Sequence, residues 1–383
     1  MSLAELVLAL VWAAPFLAFI RLARRSPSLE SIAPVVQGPR LSVIVPARNE
    51  AGTIETVVRT VLASEYRDLE LIVVDDRSTD QTAAIVERLA AEAPRLRLVH
   101  GTDLPEGWYG KPWACVQGWR AAGGALLLFT DADTRHTPEL IPRAVAAWQQ
   151  RPHAMVTLMP LQLCITFWER VVMPQVWLLL GVRYHPLAVN AARRPRDVIA
   201  NGQFILTSRE SYEAVGTHEA VRAEVAEDLA LAQAYQAKGR PVWFAFALER
   251  MQTRMYENLP HIVEGWSKNL YLGGRRSFPD EPLLRSLVPA ALAGVMLYWL
   301  APPVALVLSA LAVLPISLLG AAALATLLST CFWMVTCADM RIPPRFGLLY
   351  PLGALVVLYI VIRSTMRGDR AVEWKGRVYR GKT

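Results

Sequence analysis

Three groups of acids and one lysine carry most of the chemistry this sequence offers. Phe129-Thr130-Asp131-Ala132-Asp133 closes a short apolar run, Ala125–Phe129, that is bounded by Gly123-Gly124. Thr134 and then Pro138-Glu139-Leu140 follow it and predict the start of a helix. Two carboxylates two residues apart, where a strand meets a loop, can reach one bound ion from the same side. A hard divalent cation such as Mg²⁺ or Mn²⁺ takes such oxygens and keeps room for substrate phosphate. Standing alone, Asp-x-Asp is equally a solvated turn. Asp75-Asp76 end a second apolar run, Leu69–Val74. They are acceptors suited to a base N–H and to ribose hydroxyls, or a polar loop ahead of a helix capped by Ser78-Thr79-Asp80. Glu227-Asp228 open the apolar stretch Leu229-Ala230-Leu231-Ala232 of a helix predicted over 222–236. Such a pair compensates the helix dipole. Its mutual repulsion also raises one of the two pKa values, which suits a base near neutrality. Lys111 sits in a loop bounded by Gly110 and Pro112. It is either a solvated loop lysine or an ammonium that can meet a diphosphate, with Arg48 as a second candidate for that task.

The elements that must position these groups alternate. Leu41–Pro46, Leu69–Val74, Arg95–Val99 and Ala125–Phe129 read as strands. Residues 51–64 and 80–93 read as helices, and Cys115–Ala122 as part of a third. Ile54, Val57, Val58, Val61 and Leu62 supply the apolar face of the first helix. This alternation predicts an α/β fold with a mostly parallel sheet flanked by helices. In such sheets ligands bind outside the carboxyl ends of the strands. Asn49-Glu50, Asp75-Asp76 and Asp131–Asp133 all fall just past strand ends, which points to a nucleotide site.

Pro46-Ala47-Arg48-Asn49-Glu50, Val73 to Asp80, Asp131-Ala132-Asp133 and Glu227-Asp228 occur in the order of the family 2 (GT-A fold) glycosyltransferase signature. The chain resembles that family over roughly residues 40–275. Leu104-Pro105-Glu106-Gly107-Trp108-Tyr109-Gly110-Lys111-Pro112-Trp113 and Ala200-Asn201-Gly202-Gln203-Phe204 are similar to a narrower branch. These are the membrane-anchored enzymes associated with hopanoid and carotenoid glycosylation. The resemblance implies a nucleotide-diphosphate sugar donor, a divalent metal (Mg²⁺ or Mn²⁺) and inversion at the anomeric carbon. It assigns Pro46, Asn49, Glu50, Asp75, Asp76 and Lys111 to the donor. Asp131 faces the ribose or the metal, and Asp133 is the direct metal ligand. Asp228 takes the acceptor proton, with Glu227 beside it.

Asn201, Gly202 and Gln203 line the acceptor pocket on this reading, or are ordinary turn residues. His218, after Gly216-Thr217, is a capping loop residue or a pocket contact. Processive relatives carry Gln-x-x-Arg-Trp. Here Val263-Glu264-Gly265-Trp266-Ser267-Lys268 keeps the tryptophan but has glycine for the arginine, with Lys268 as the nearby charge. That departure favours addition of a single sugar. Trp266 either stacks on the acceptor or packs at an interface.

Composition sets the setting. Of 383 residues, 54% are hydrophobic and 19% charged, with a mean hydropathy of +0.29, too apolar for an ordinary soluble chain. The net charge of +7 flanks apolar runs, so an anionic membrane surface is the expected partner, and nucleic acid is not. Cys115, Cys164, Cys331 and Cys337 show no zinc or redox spacing. Residues 3–20 are apolar but for Glu5 and are followed by Arg21, Arg24 and Arg25, the order of an uncleaved anchor with a cytoplasmic flank. The expected organisation is an anchor at 1–25, a catalytic domain at 40–275, a transmembrane region at 283–365 and a basic tail at 366–383. Within the transmembrane region the run 286–337 has length for two spans, turning near Pro302-Pro303 or Pro315, and 346–362 makes a third. The helical stretch at 163–189, with Trp168 and Trp177, lies in the interface or is a buried core helix.

The whole predicts a multi-pass protein of a bacterial-type plasma membrane with a cytoplasmic catalytic domain. Its activity is transfer of one sugar from a nucleotide-sugar donor to a terpenoid lipid acceptor. The alternatives are a polyprenyl-phosphate sugar synthase and a non-catalytic scaffold that keeps a degenerate nucleotide-binding fold.

Overall fold

Leu41–Ala47 is apolar at almost every position because helices cover both faces of the sheet it enters. In the computed structural model, which describes residues 3–23, 25–278, 281–368, 372–374 and 377–379, this strand is β1. With β2 (Leu69–Asp75), β3 (Leu96–His100) and β4 (Leu126–Thr130) it forms a parallel block in the order β3-β2-β1-β4. Alternate side chains go to opposite cores. Val43, Val45, Leu71, Val73 and Leu128 pack with Ile54, Val57, Val58 and Val61 of the helix Ile54–Leu62. Ile44, Ile72, Val74, Leu127 and Phe129 pack with Ala114 and Cys115 of the helix Gly110–Ala121 and with Leu229–Ala232 of the helix Glu227–Ala237.

Four further strands complete the sheet: β5 (Thr134–His136), β6 (Met155–Gln162), β7 (Phe204–Ser208) and β8 (Val242–Thr253). The full order is β3-β2-β1-β4-β7-β6-β8-β5. β7 runs antiparallel to both β4 and β6, β6 and β8 are parallel, and β5 closes the edge antiparallel to β8. The expected α/β sheet is therefore present, with a mixed second half. Gly118 sets how close the helix Gly110–Ala121 lies: a Cβ there would overlap Ile44 and reach within 3.1 Å of Val74. The same helix carries Lys111 in its first turn.

This sheet unit takes in Pro27–Leu163 and Tyr184–Met255. A separate helical unit takes in residues up to Ser26, Cys164–Arg183 and Tyr256–Gly368, so the 40–275 segment is divided between the two. In the helical unit the helix Phe167–Arg183 buries Val171 to Val176 and Leu179, which makes it a core helix, with Trp168 and Trp177 half-buried against that core. Pro282–Ala310, Ile316–Asp339 and Pro344–Arg367 are each long and apolar enough to cross a membrane. Pro302 and Pro303 lie inside the first of these helices, and the chain turns ahead of Pro315 instead. A shorter apolar helix covers Glu5–Phe19. Of the tail, Val372–Trp374 and Arg377–Tyr379 pair antiparallel. The remainder of 366–383 beyond Gly368 lies outside the described residues.

Candidate active site

The site is assembled by one lysine. The Lys111 Nζ stands 2.8 Å from Asp131 Oδ1 and 2.9 Å from Glu227 Oε1. Lys111 was expected in a loop; it occupies the first turn of Gly110–Ala121 instead, because proline is tolerated at that end of a helix. A cation at a helix N-terminus opposes the dipole, and here three carboxylates outweigh that cost. Burial pulls the ammonium down, yet Asp131, Glu227 and Asp228 together hold it well above its ordinary value. Asp228 is turned by two backbone donors: Gly202 N–H reaches Oδ2 at 3.0 Å and Leu229 N–H reaches Oδ1 at 2.7 Å.

The acidities of the pair part in consequence. Burial pushes Glu227 up, but its contact with Lys111 prevails and holds it below the usual carboxylate range. Burial and the charge of Glu227 push Asp228 up to about 6, against the pull of Lys111 and the two N–H groups. Gly202 is required where it stands. A Cβ at that position would lie 2.9 Å from Lys111 Nζ and 3.2 Å from Asp228 Oδ2.

Asp131 and Asp133 follow β4 in a tight turn in which Thr134 Oγ1 donates to the Asp131 carbonyl at 2.8 Å. Among the described residues no three His, Cys, Asp or Glu side chains group to hold a cation by themselves. Two carboxylates on one turn nevertheless fit the way Mg²⁺ or Mn²⁺ is held beside a nucleotide, where phosphate and water complete the shell.

At the ends of β1 and β2 the two loops hold each other. Asn49 has a φ of 54°, a left-handed conformation that asparagine tolerates. Its Oδ1 accepts from Thr79 N–H at 2.8 Å, and its own N–H donates to Ser78 Oγ at 2.9 Å. Glu50 leads the turn ahead of the helix Ile54–Leu62, its carbonyl accepting from Thr53 N–H and Ile54 N–H. Arg48 donates to the carbonyls of Asp76 and Arg77 at 2.6 and 2.9 Å. Asp75 and Asp76 are both buried. Asp75 Oδ2 accepts from Ser78 N–H at 3.3 Å, while Oδ1 is buried with no partner among the described residues, an acceptor suited to a ligand N–H or O–H. Capping of the next helix falls to Asp80, which accepts from Thr82 N–H at 3.0 Å and Ala51 N–H at 3.1 Å.

The segment 201–203 is held from two sides. Asn201 Nδ2 donates to the Leu158 carbonyl at 3.1 Å and to Gln203 Oε1 at 3.1 Å. The Gln203 carbonyl accepts from Thr130 Oγ1 at 2.8 Å, tying the start of β7 to the end of β4. His136, which the sequence reading passed over, joins this tie through Nε2, 3.2 Å from Thr130 Oγ1 and 3.1 Å from Thr134 Oγ1. Burial pushes His136 down to about 3, so its ring is neutral. A small cavity with room for about one water is lined by Pro46, Lys111, Asp131, Gly202, His218 and Glu227.

Residues 42–216 match the model of Glycosyl transferase family 2. Over that stretch, which runs from β1 through β7, the chain is similar to this family. As a glycosyltransferase it is similar along most of its length to curated enzymes. It is 27% identical over 352 residues, 88% of each chain, to 4,4'-diaponeurosporenoate glycosyltransferase of Staphylococcus aureus strain MRSA252. The enzyme of the same description from strain USA300 is 26% identical over 351 residues, with the same coverage. Among solved structures, the mannosyltransferase PcManGT from Pyrobaculum calidifontis, solved with GDP-Man and Mn²⁺, superposes with a TM-score of 0.57 at 21% identity, covering 95% of this chain and 97% of that one. At that identity the likeness speaks for the fold, which is the GT-A arrangement. Trp266 of this glycosyltransferase lies in the helical unit, buried at 4% exposure between Trp177 and Tyr256.

Proposed function

We propose that this glycosyltransferase transfers one sugar, with inversion, from a nucleotide-diphosphate donor to a terpenoid lipid of the carotenoid class at the membrane. The observation that carries the reading is the Lys111 bridge. It brings Asp131, from the loop after β4, and Glu227-Asp228, from a helix almost a hundred residues later, into one cluster. The carotenoid class is supported by the 27% identity that spans 88% of the chain.

In this mechanism Asp75 and Asp76 receive the base and ribose. Lys111 moves from its carboxylates toward the donor diphosphate, whose charge competes for the ammonium. Asp133, with Asp131 beside it, would hold Mg²⁺ or Mn²⁺, which supplies countercharge to the diphosphate as it leaves. With a hydroxyl acceptor, oxygen attacks the anomeric carbon from the face opposite the diphosphate. The new C–O bond forms as the bond to phosphate breaks, and the hydroxyl proton passes to Asp228. An acid raised to about 6 is ionised at neutral pH and still basic enough to accept it. A carboxylate acceptor would arrive without that proton and need no base.

Asp228→Asn with a terpenoid alcohol should lower turnover by roughly 10²–10⁴-fold while nucleotide-sugar binding by calorimetry stays intact. Unchanged turnover would overturn the base assignment. The same variant with a terpenoid acid should lose far less. Polyprenyl phosphate, offered beside these lipids with a panel of nucleotide sugars, separates the sugar-phosphate synthase reading: its sole glycosylation would displace the terpenoid one. We place the enzyme in a bacterial-type plasma membrane as a multi-pass protein with the sheet unit on the cytoplasmic side, on the Arg21–Arg25 flank of the first apolar segment.

A further inference from the structure

His218 is nearly as buried as the core, at 2% exposure, and yet it lines the cavity that holds the acid cluster. Its entry is built. Gly216 has a φ of 90° and Thr217 a φ of 57°, and a β-branched residue in that region is a true outlier. The two residues turn the chain so that the next ring goes inward, where Phe129 meets it edge-on at 4.9 Å. Tyr212 then fixes the ring. Its Oη accepts the backbone N–H of His218 at 3.0 Å and stands 2.6 Å from Nδ1. With Oη already accepting, the phenol proton has one acceptor in reach among the described residues, Nδ1. Burial keeps that proton on the phenol. Nδ1 therefore accepts, the ring proton sits on Nε2, and Nε2–H is the edge left to turn to the cavity.

We propose that His218 is a positioning residue for the acid pair, its Nε2–H donating to the Glu227 carboxylate directly or through one bound water. The inference rests on the reading of Asp228 as proton acceptor. A second donor besides Lys111 keeps Glu227 ionised, so that Asp228 alone takes the proton. The groups that face the ring are Tyr212 from the helix Arg209–Ala214, Glu227 from its own helix, and Lys111 and Cys115 from Gly110–Ala121. Burial, with Lys111, holds the imidazole down at about 4 against the pull of Glu227, so it donates as a neutral ring.

The test uses the full-length enzyme in lipid, with ¹⁵N-labelled histidine and pH–rate profiles on a terpenoid alcohol. The wild-type His218 signal should be that of a neutral Nε2–H tautomer, and Tyr212→Phe should turn it into a mixture. His218→Phe should move the acid limb of the rate profile upward by about half a pH unit or more, because Glu227 loses a donor, takes a proton at higher pH and, once neutral, no longer keeps Asp228 basic. His218→Gln, which keeps an N–H at nearly the same place, should return the limb to the wild-type position. An Nδ1–H tautomer in the wild type, or a limb unmoved in His218→Phe, would overturn the proposal. Failure of the base reading shows separately, as wild-type turnover of Asp228→Asn.

Discussion

Lys111 is the charge that lets three carboxylates share one corner of the sheet, and it couples their titrations. Above about 6 Asp228 is ionised and can take a proton. The rate with a hydroxyl acceptor should therefore fall as pH drops through that value. Lys111 lowers both Glu227 and Asp228, so its removal raises both. Lys111→Met should move the acid limb to higher pH and weaken donor binding, whereas Lys111→Arg should leave the limb close to wild type; both are read from initial rates across roughly pH 5–9, a range that spans the Asp228 limb. Gly202→Ala is a geometric counterpart. The two tightest contacts of the added Cβ are the flexible ends of Lys111 and Asp228, and the Asp228 Cβ stands at an ordinary 3.4 Å, so the melting temperature should hardly change. Turnover should fall by roughly 10²-fold, as for other misplacements of about an ångström.

At the scale of elements, the parallel block was legible because strands buried on both faces are near-continuous apolar runs, as in Val43–Val45 and Leu126–Phe129. The strands β5 to β8 were not read. β6 carries Pro160, and β8 contains Glu249 and Arg250 within its run, so neither advertises itself by period. Lys111 was misplaced because Gly110 and Pro112 signal a break everywhere except in a first helical turn. How close that helix lies to the sheet is set by Gly118. Gly118→Val should cost about 1–3 kcal/mol by overpacking, lowering the melting temperature, and should lower turnover as well by displacing Lys111. Loss of stability with full turnover would separate the helix from the site.

At the scale of the whole molecule, the apolar excess resides in the helical unit, whose three long helices are each fit to cross a membrane. Pro302 and Pro303 sit inside one of them, a placement that buried helix contacts tolerate better than water does. The protein should stay in the membrane pellet after alkaline carbonate extraction and enter solution with detergent. Release by carbonate alone, read on a blot of the two fractions, would leave it peripheral. Arg363 and Arg367 at the end of the last helix both pair with Glu264 of the helix Leu259–Arg276, so that basic end is already partly neutralised within its unit.

The order of the acidic motifs, the alternation of strand and helix and the apolar C-terminal third are local properties, and a single pass along the chain determined them. Period and composition act over a few residues, so no folded context was needed. What tertiary structure alone decided is which charges meet. That Lys111 bridges Asp131 to Glu227, that Gly202 leaves room for this, and that Tyr212 sets the proton of His218 all depend on packing between segments distant in sequence. Electrostatic and steric contacts of a few ångströms have no signature in linear spacing, and so they appear only once the sheet brings its loops together.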